Sequence, residues 1–509
     1  MKFYVDIDCR QLLGEIIMNE YYKKFERFDK GNCSTVVIGK DASVTGKVIL
    51  GHNEDDNDSI VELHLVPRMK HREGETISFK DADAVIPQVP ETYSYYWSEV
   101  RCKGGISFAD GFVNENGVAV VSNSCRPAKT PVVDVELGVG YAIRRLIAER
   151  AVSARDGVRV AAELVEKYGY FSGRAYTIAD KDEAFVFQIP TGHVYAARKV
   201  GDDEVFYIPN WYTIHEIDFS DKEHKKFYFS ENVVEYAIEN GWYTPAKEGD
   251  YSDFDFAVAY QEPGDSGSHN IERRRNAWRI LAGLNLQDSE LREFSRKAEK
   301  KYSAEDVKAV LRSHYEGGPD DLSNGYERNP HRGSTIATIC NGWTAESLVI
   351  EFNEDKYLTR MLRSTLMPCT SPYRPWYPVA LTRMPEGYSQ NEPLTAQISH
   401  FYVDDKELEY NPKLAWWTFK NLVYATEYDY KTAHEVLSKS CKYLESQWDI
   451  QSKGIEAAYN ALKDTDIDAA REILTSYTCA QAKFTEEWAG KKVVELANIR
   501  ILKNKKDWE

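Results

Sequence analysis

The period of the hydrophobic pattern changes in blocks along this chain, and no other feature restricts the fold as much. Residues 33–39 (CSTVVIG) are β-branched and apolar. A second strand begins at 47–50, after the Thr45-Gly46 turn, and Gly51-His52-Asn53-Glu54-Asp55 reads as a further turn. Residues 59–66 (SIVELHLV) alternate at period two, the pattern of a half-buried strand. Strand signals return at 93–100, 118–122, 175–180, 184–190 and 205–209. A helical stretch at 137–168 interrupts them, with Ile143, Leu146, Ile147 and Ala151 on one face. Ser153-Ala-Arg-Asp156 resembles a capping box, so a helix restarts there. Strands, then helices, then strands make an α+β order with stacked layers, not a regular βαβ alternation. From about residue 404 the pattern turns helical, and 431–462 with 466–502 predict a C-terminal helical hairpin.

Composition narrows the function classes. The formal net charge of −17 is poorly suited to phosphate backbones, which excludes nucleic acid as an expected partner. No apolar run approaches the ~18 residues of a membrane span. The apolar residues of the N-terminus are split by Gly14 and Glu15, so no signal-peptide core is present and a cytoplasmic location is expected. The eight Cys, at 9, 33, 102, 125, 340, 369, 441 and 479, form no CxxC pair. They read as buried thiols in a reducing compartment, and no metal is expected from their spacing.

Residues 1–32 are polar and helical in pattern and end in Lys30-Gly31-Asn32, helix-stop and turn residues. A lone Cys at the start of an apolar strand is ordinarily core. Cys33 departs from that reading because it follows a Gly-Asn turn, precedes the small pair Ser34-Thr35, and is followed by the Gly51–Asp55 segment. A thiol needs a base to become a good nucleophile. If Cys33 were the first residue, its own α-amine, with an ordinary pKa of about 7.7–8.0, would serve. A carboxylate such as Asp55 would hold that amine. Cleavage between Asn32 and Cys33 is then required, and residues 1–32 are a propeptide.

These segments resemble the C69 dipeptidases, which include the secernins, and their cousins the bile-salt hydrolases and penicillin V acylases. Those families begin the mature chain with Cys on a strand, and their second strand ends in Gly-Arg-Asn-x-Asp. Here His52 stands where that pattern has Arg. Asn114-Glu-Asn-Gly117 and the strand to Asn123 are similar to a second segment of the relatives, whose oxyanion residue falls at Asn123 or, one register on, Ser124. Tyr207-Ile-Pro-Asn210-Trp211 is similar to a third, in which the Asn binds the oxyanion. Pro263-Gly264-Asp265 and Asn270-Ile-Glu-Arg273 with Trp278 are similar to a fourth, whose Arg sits beside the nucleophile; Arg274 and Arg275 are the alternatives. His331-Arg332-Gly-Ser-Thr335 and the segment from Met367 to Pro378 resemble late strands and an aromatic loop at the pocket mouth. His331 in a Cys-His scheme is a lesser alternative.

The resemblance implies the N-terminal-nucleophile (Ntn) αββα sandwich of two antiparallel sheets, over residues 33–400, with a helical extension over 401–509. It implies hydrolysis of dipeptide amide bonds by Cys33 after autoproteolytic removal of 1–32. Asp55, Asn210, Arg273 and Asn123 would be catalytic, and His52, Asn53 and Trp211 would bind substrate. No cofactor is implied, and a homo-oligomer is compatible with the sequence. Two rivals stand beside this reading. One is an amidase or acyltransferase on N-acyl small molecules, since pocket details set function. The other is an unprocessed interaction protein in which Cys33 stays internal.

Overall fold

The computed structural model describes residues 33–56, 59–103, 110–125, 129, 137–263, 269–331 and 338–506. The expected cleavage point at Asn32, the 1–32 segment, Asp265 and Arg332–Thr335 lie outside these residues.

Fifteen strands build two large sheets. They are β1 (Ser34–Ile38), β2 (Ile49–Asp55), β3 (Ile60–Val66), β4 (Tyr95–Arg101), β5 (Gly111–Asn114), β6 (Ala119–Ser124), β7 (Arg174–Ala179), β8 (Ala184–Ile189), β9 (Ala196–Lys199), β10 (Glu204–Ile208), β11 (Phe227–Phe229), β12 (Ser295–Lys297), β13 (Thr344–Glu351), β14 (Arg360–Thr365) and β15 (Arg374–Trp376). The first sheet has the order β12-β10-β1-β2-β13-β14-β15, the second β11-β9-β8-β7-β6-β5-β4-β3. Every neighbouring pair runs antiparallel.

Side-chain parity produces the layers. On β1, Val37 points into the core shared by the two sheets, with Leu50, Val121, Val186 and Ile208. Its neighbours Val36 and Ile38 point the other way, onto helices α3 (Asn270–Ala282) and α4 (Ala304–Leu311). The second sheet is covered on its outer face by α1 (Ile143–Arg150) and α2 (Ala154–Tyr168), through Val120, Ile178 and Phe185. Helix layers thus cover both outer faces of the stacked sheets. A strand covered on both faces reads as an unbroken apolar run, as β1 does.

The helical stretch divides where the capping residues predict. Ser153 accepts a hydrogen bond from the Asp156 backbone N–H and opens α2, while Asp156 accepts from Val152 N–H. The helix begins at Ile143, not 137, because Gly138 and Gly140 adopt positive φ. Two other expectations are corrected. Gly51–Asp55 is not a turn: β2 continues through it, paired to β1 on one side and β13 on the other. Residues 60–66 are buried on both faces, because Glu62 and His64 meet the buried ion-pair network of Glu99 and Arg101. Within the aromatic segment after Met367, Arg374–Trp376 form edge strand β15, and Trp376 and Tyr377 are buried against the C-terminal helices.

That C-terminal part consists of α5 (Pro393–Ser399), α6 (Ala415–Thr426) and the long pair α6-adjacent α7 (Tyr430–Leu462) and α8 (Ile467–Lys506). Trp416, Leu437, Trp448 and Trp488 extend the same cluster of buried residues into the helices. Among the described residues no helix is long and apolar enough to cross a membrane. The seven described cysteines are free thiols, six of them buried.

Candidate active site

Cys33 stands immediately before β1 and is 3% exposed. The register Ser34↔Asn53 and Thr35↔His52 sets what lies around it. Parity along β1 puts Cys33 and Thr35 on the inter-sheet face with Val37. Parity along β2 puts His52 and Glu54 on that face with Leu50, and Asn53 and Asp55 on the other. Glu54, which the sequence reading passed over, is therefore the carboxyl that meets the thiol. Its Oε1 accepts from Cys33 Sγ at 3.0 Å.

A hydrogen-bonded chain continues from it. Glu54 Oε2 lies 3.1 Å from His52 Nε2, His52 Nδ1 lies 2.8 Å from Thr35 Oγ1, and Thr35 Oγ1 donates to Asn123 Oδ1 at 2.6 Å. One arrangement of hydrogens satisfies it. Asn123 Nδ2 donates to the Ile208 carbonyl at 3.3 Å, which fixes Oδ1 toward Thr35. Thr35 has a single hydroxyl proton, and Asn123 takes it. His52 Nδ1 must then carry a hydrogen, donated to Thr35. Burial holds this imidazole neutral, with its pKa lowered to about 3. Nε2 is left as an acceptor, so the proton between it and Glu54 sits on the carboxyl. Burial accordingly pushes Glu54 up to about 8, although Arg144 and Arg174 pull it down.

The opposite face of β2 is equally ordered. Asn53 Nδ2 donates to the Leu311 and Ile339 carbonyls, both at 2.9 Å, and Asn53 Oδ1 accepts from Ser347 Oγ. Asn53 is thus bound within the core. Asp55 Oδ2 accepts from Asn341 Nδ2 at 2.7 Å, while its buried Oδ1 has no partner among the described residues. Burial pushes Asp55 up to about 8 as well. Its backbone N–H faces the Cys33 sulfur. Gly51 is required for this packing: a Cβ there would lie 2.2 Å from Val307 Cγ1 of α4.

Arg273 closes the site from α3. Nη1 donates to the Cys33 carbonyl at 2.8 Å. Nη2 donates to Asn210 Oδ1 at 2.8 Å and Asn270 Oδ1 at 2.9 Å, and Asn270 Oδ1 also accepts from Asn210 N–H. The guanidinium fixes the Asn210 amide with its oxygen inward. Asn210 Nδ2 is buried with no hydrogen-bond partner among the described residues. Of the three consecutive arginines only Arg273 reaches Cys33. Arg274 binds the Tyr207 and Leu291 carbonyls, and Arg275 pairs with Asp288 and Asp320. Arg273 addresses the Cys33 carbonyl, not its sulfur. The thiol is pushed well above its ordinary range by burial, then by Glu54 and Asp55.

The remaining candidates fall elsewhere. Trp211 lines a cavity of about 310 Å³ with Tyr212, Gln261, Ile271 and Asn270, so Asn270 links the cavity to the Arg273 cluster. Ser124 ends β6 opposite Arg174. His331 is not at Cys33; its ring meets His314, Cys340 and Cys369.

A probable dipeptidase of Latilactobacillus sakei is 29% identical over 313 residues, 59% of this chain and 64% of the relative. Probable dipeptidase B of Lactococcus lactis is 26% identical over 303 residues, 58% of this chain and 62% of the relative. A dipeptidase of Bifidobacterium longum is 26% identical over 342 residues, 60% of this chain and 63% of the relative. The matched part of the chain thus spans a little under two thirds of the length of each of these three relatives. The profile described as peptidase family C69 matches residues 32–440. That span takes in every strand of both large sheets and the whole Cys33–Arg273 cluster, and the chain belongs to peptidase family C69.

Proposed function

We propose that this protein is a dipeptidase in which Cys33, freed by removal of residues 1–32, is the nucleophile. The observation that carries the reading is a pair of buried atoms in the Cys33 cluster with no close hydrogen-bond partner among the described residues: Asp55 Oδ1, whose carboxyl has Asn341 and the Thr344 hydroxyl beside it, and Asn210 Nδ2. A free Cys33 α-amine would give Asp55 Oδ1 the donor it lacks. A carbonyl turning into an oxyanion would give Asn210 Nδ2 the acceptor it lacks. The match beginning at residue 32 and the relatives named dipeptidase support the same assignment.

In this mechanism the amine takes the thiol proton and the thiolate attacks the substrate carbonyl. Asn210 Nδ2 donates to the oxyanion, an interaction worth about 3–4 kcal/mol in such sites. The ammonium returns its proton to the leaving amine, and water, deprotonated by the amine, releases the acyl group. Glu54, hydrogen-bonded through His52 and Thr35, orients the thiol. Arg273 fixes the Cys33 carbonyl and the Asn210 amide together. In the uncut chain, burial above all holds the thiol protonated, so it stays a poor nucleophile. The fold is then an Ntn sandwich, and the cavity at Trp211 receives a substrate side chain.

Intact mass with N-terminal sequencing tests the maturation step. A chain beginning at Cys33 that hydrolyses dipeptides with a free N-terminus, and loses both properties in Cys33→Ala, is expected. A fully active chain still beginning at Met1 overturns the mechanism. Turnover of N-acyl amides in place of dipeptides overturns the substrate class alone.

A further inference from the structure

A second cluster of reactive side chains lies behind β2 and has no part in the chemistry proposed for Cys33. His314 Nε2 and His331 Nε2 face each other at 2.9 Å. Cys340 Sγ lies 3.8 Å and Cys369 Sγ 3.6 Å from that same His331 nitrogen. All four donor atoms fall within 4.8 Å of one another. From these positions we infer that His314, His331, Cys340 and Cys369 bind a zinc ion in tetrahedral His₂Cys₂ coordination.

Hydrogen bonding alone does not account for this convergence. A neutral imidazole nitrogen carries one hydrogen or one lone pair, so it serves one partner at a time. Here three groups crowd His331 Nε2. A central cation satisfies all four donors at once. Zn–N near 2.0–2.1 Å and Zn–S near 2.3 Å give tetrahedral edges of about 3.3–3.8 Å. The two N–S separations at His331 fit that range, His314 and His331 must part by a few tenths of an ångström, and the remaining pairs, all within 4.8 Å, close onto the ion. Two imidazoles with two thiolates select zinc over magnesium or calcium, which take oxygen ligands.

The surroundings are those of a structural site. His314 Nδ1 lies 3.0 Å from Glu316 Oε1, the outer carboxylate that orients a ligating imidazole with Nε2 toward the metal. Glu316 is held in turn by Tyr326 Oη at 2.6 Å. Tyr430, at the start of α7, closes the cluster: its Oη is 3.4 Å from Cys369 Sγ and its ring meets His331 edge-on. His314, Cys340 and Cys369 are buried, and the partly exposed His331 marks the path of entry. Four protein ligands leave no open position for substrate.

The ion would join segments that are remote in sequence: the loop after α4, residue 331, the approach to β13, and the turn after β14. Its effect reaches the active site by one step. Asn341, next to Cys340, donates to Asp55, and the Ile339 carbonyl accepts from Asn53. The metal therefore positions the back of β2.

The test is the metal content of the reduced, tag-free full-length protein, expressed with added zinc and dialysed into metal-free buffer. About one zinc per chain is expected, unchanged in Cys33→Ala and lost in Cys340→Ser and Cys369→Ser. Cobalt in place of zinc should give the intense visible bands of tetrahedral thiolate coordination and a sulfur-to-metal charge-transfer band. Wild-type protein with neither zinc nor these cobalt bands overturns the site, whether or not the serine variants fold. So does zinc retained by both serine variants.

Discussion

Nε2 of His52 lies 3.1 Å from Oε2 of Glu54, and the proton between them belongs to the carboxyl. Thr35 spends its only hydroxyl proton on Asn123, which leaves His52 Nε2 as an acceptor. With its folded pKa raised to about 8, Glu54 retains a proton that the unfolded chain gives up near its ordinary pKa. Between those values the folded state binds more protons, so stability falls as pH rises from about 4.5 to 8. Asp55 adds a fall of the same sign. In uncut Cys33→Ala protein, adding Glu54→Gln should remove one of these contributions, about 2–5 kcal/mol across that window. Urea unfolding at pH 5 and pH 8 checks this, and an unchanged pH slope would show that Glu54 is ionised in the fold.

Asn210 should matter to rate more than to binding. Its Nδ2 has no partner among the described residues, so its donor is spare until negative charge develops on the substrate. Asn210→Ala is expected to lower kcat by roughly 10²–10³-fold with KM little changed. Steady-state kinetics on a dipeptide decides it; a rise in KM alone would make Asn210 a ground-state contact.

The Arg273 guanidinium donates to the Cys33 carbonyl, the Ser34 hydroxyl, Asn210 and Asn270 as a planar fork. An ammonium cannot reproduce that fork. Arg273→Lys is expected to cost roughly 10²-fold in kcat/KM by misplacing nucleophile and oxyanion donor together. Retention of full activity would show that charge alone suffices.

Gly51 tests the contact between β2 and α4. Gly51→Ala drives a methyl group toward Val307 Cγ1 and should destabilise by about 1–3 kcal/mol. Val307→Ala in the same chain should recover part of that loss. A double-mutant cycle with a coupling above roughly 0.5 kcal/mol is expected, and additive losses would mean the helix moves away instead.

The Ser153 cap, the face of Ile143, Leu146 and Ile147, and the helical tail were all legible in the sequence, because they rest on contacts a few residues apart. Cys33, Asp55, Asn210 and Arg273 stood out through the order and spacing of short segments. What each does to its neighbours depends on distances across the fold. Arg273 lies 240 positions from the Cys33 carbonyl it binds.

Sequence by itself determined the early strands, the helical stretch that divides at Ser153 and the helical tail, and which segments resemble C69 peptidases. Only the tertiary structure decided that β2 runs through Asp55. With that settled, period-two parity turns Glu54 and His52 toward the thiol and Asp55 away from its side chain. Only the tertiary structure, too, brings His314, His331, Cys340 and Cys369 to one point. The reason is the same in both cases. Local pattern fixes what a segment becomes, while register and loop closure fix which side chains meet, and those are set by long-range packing.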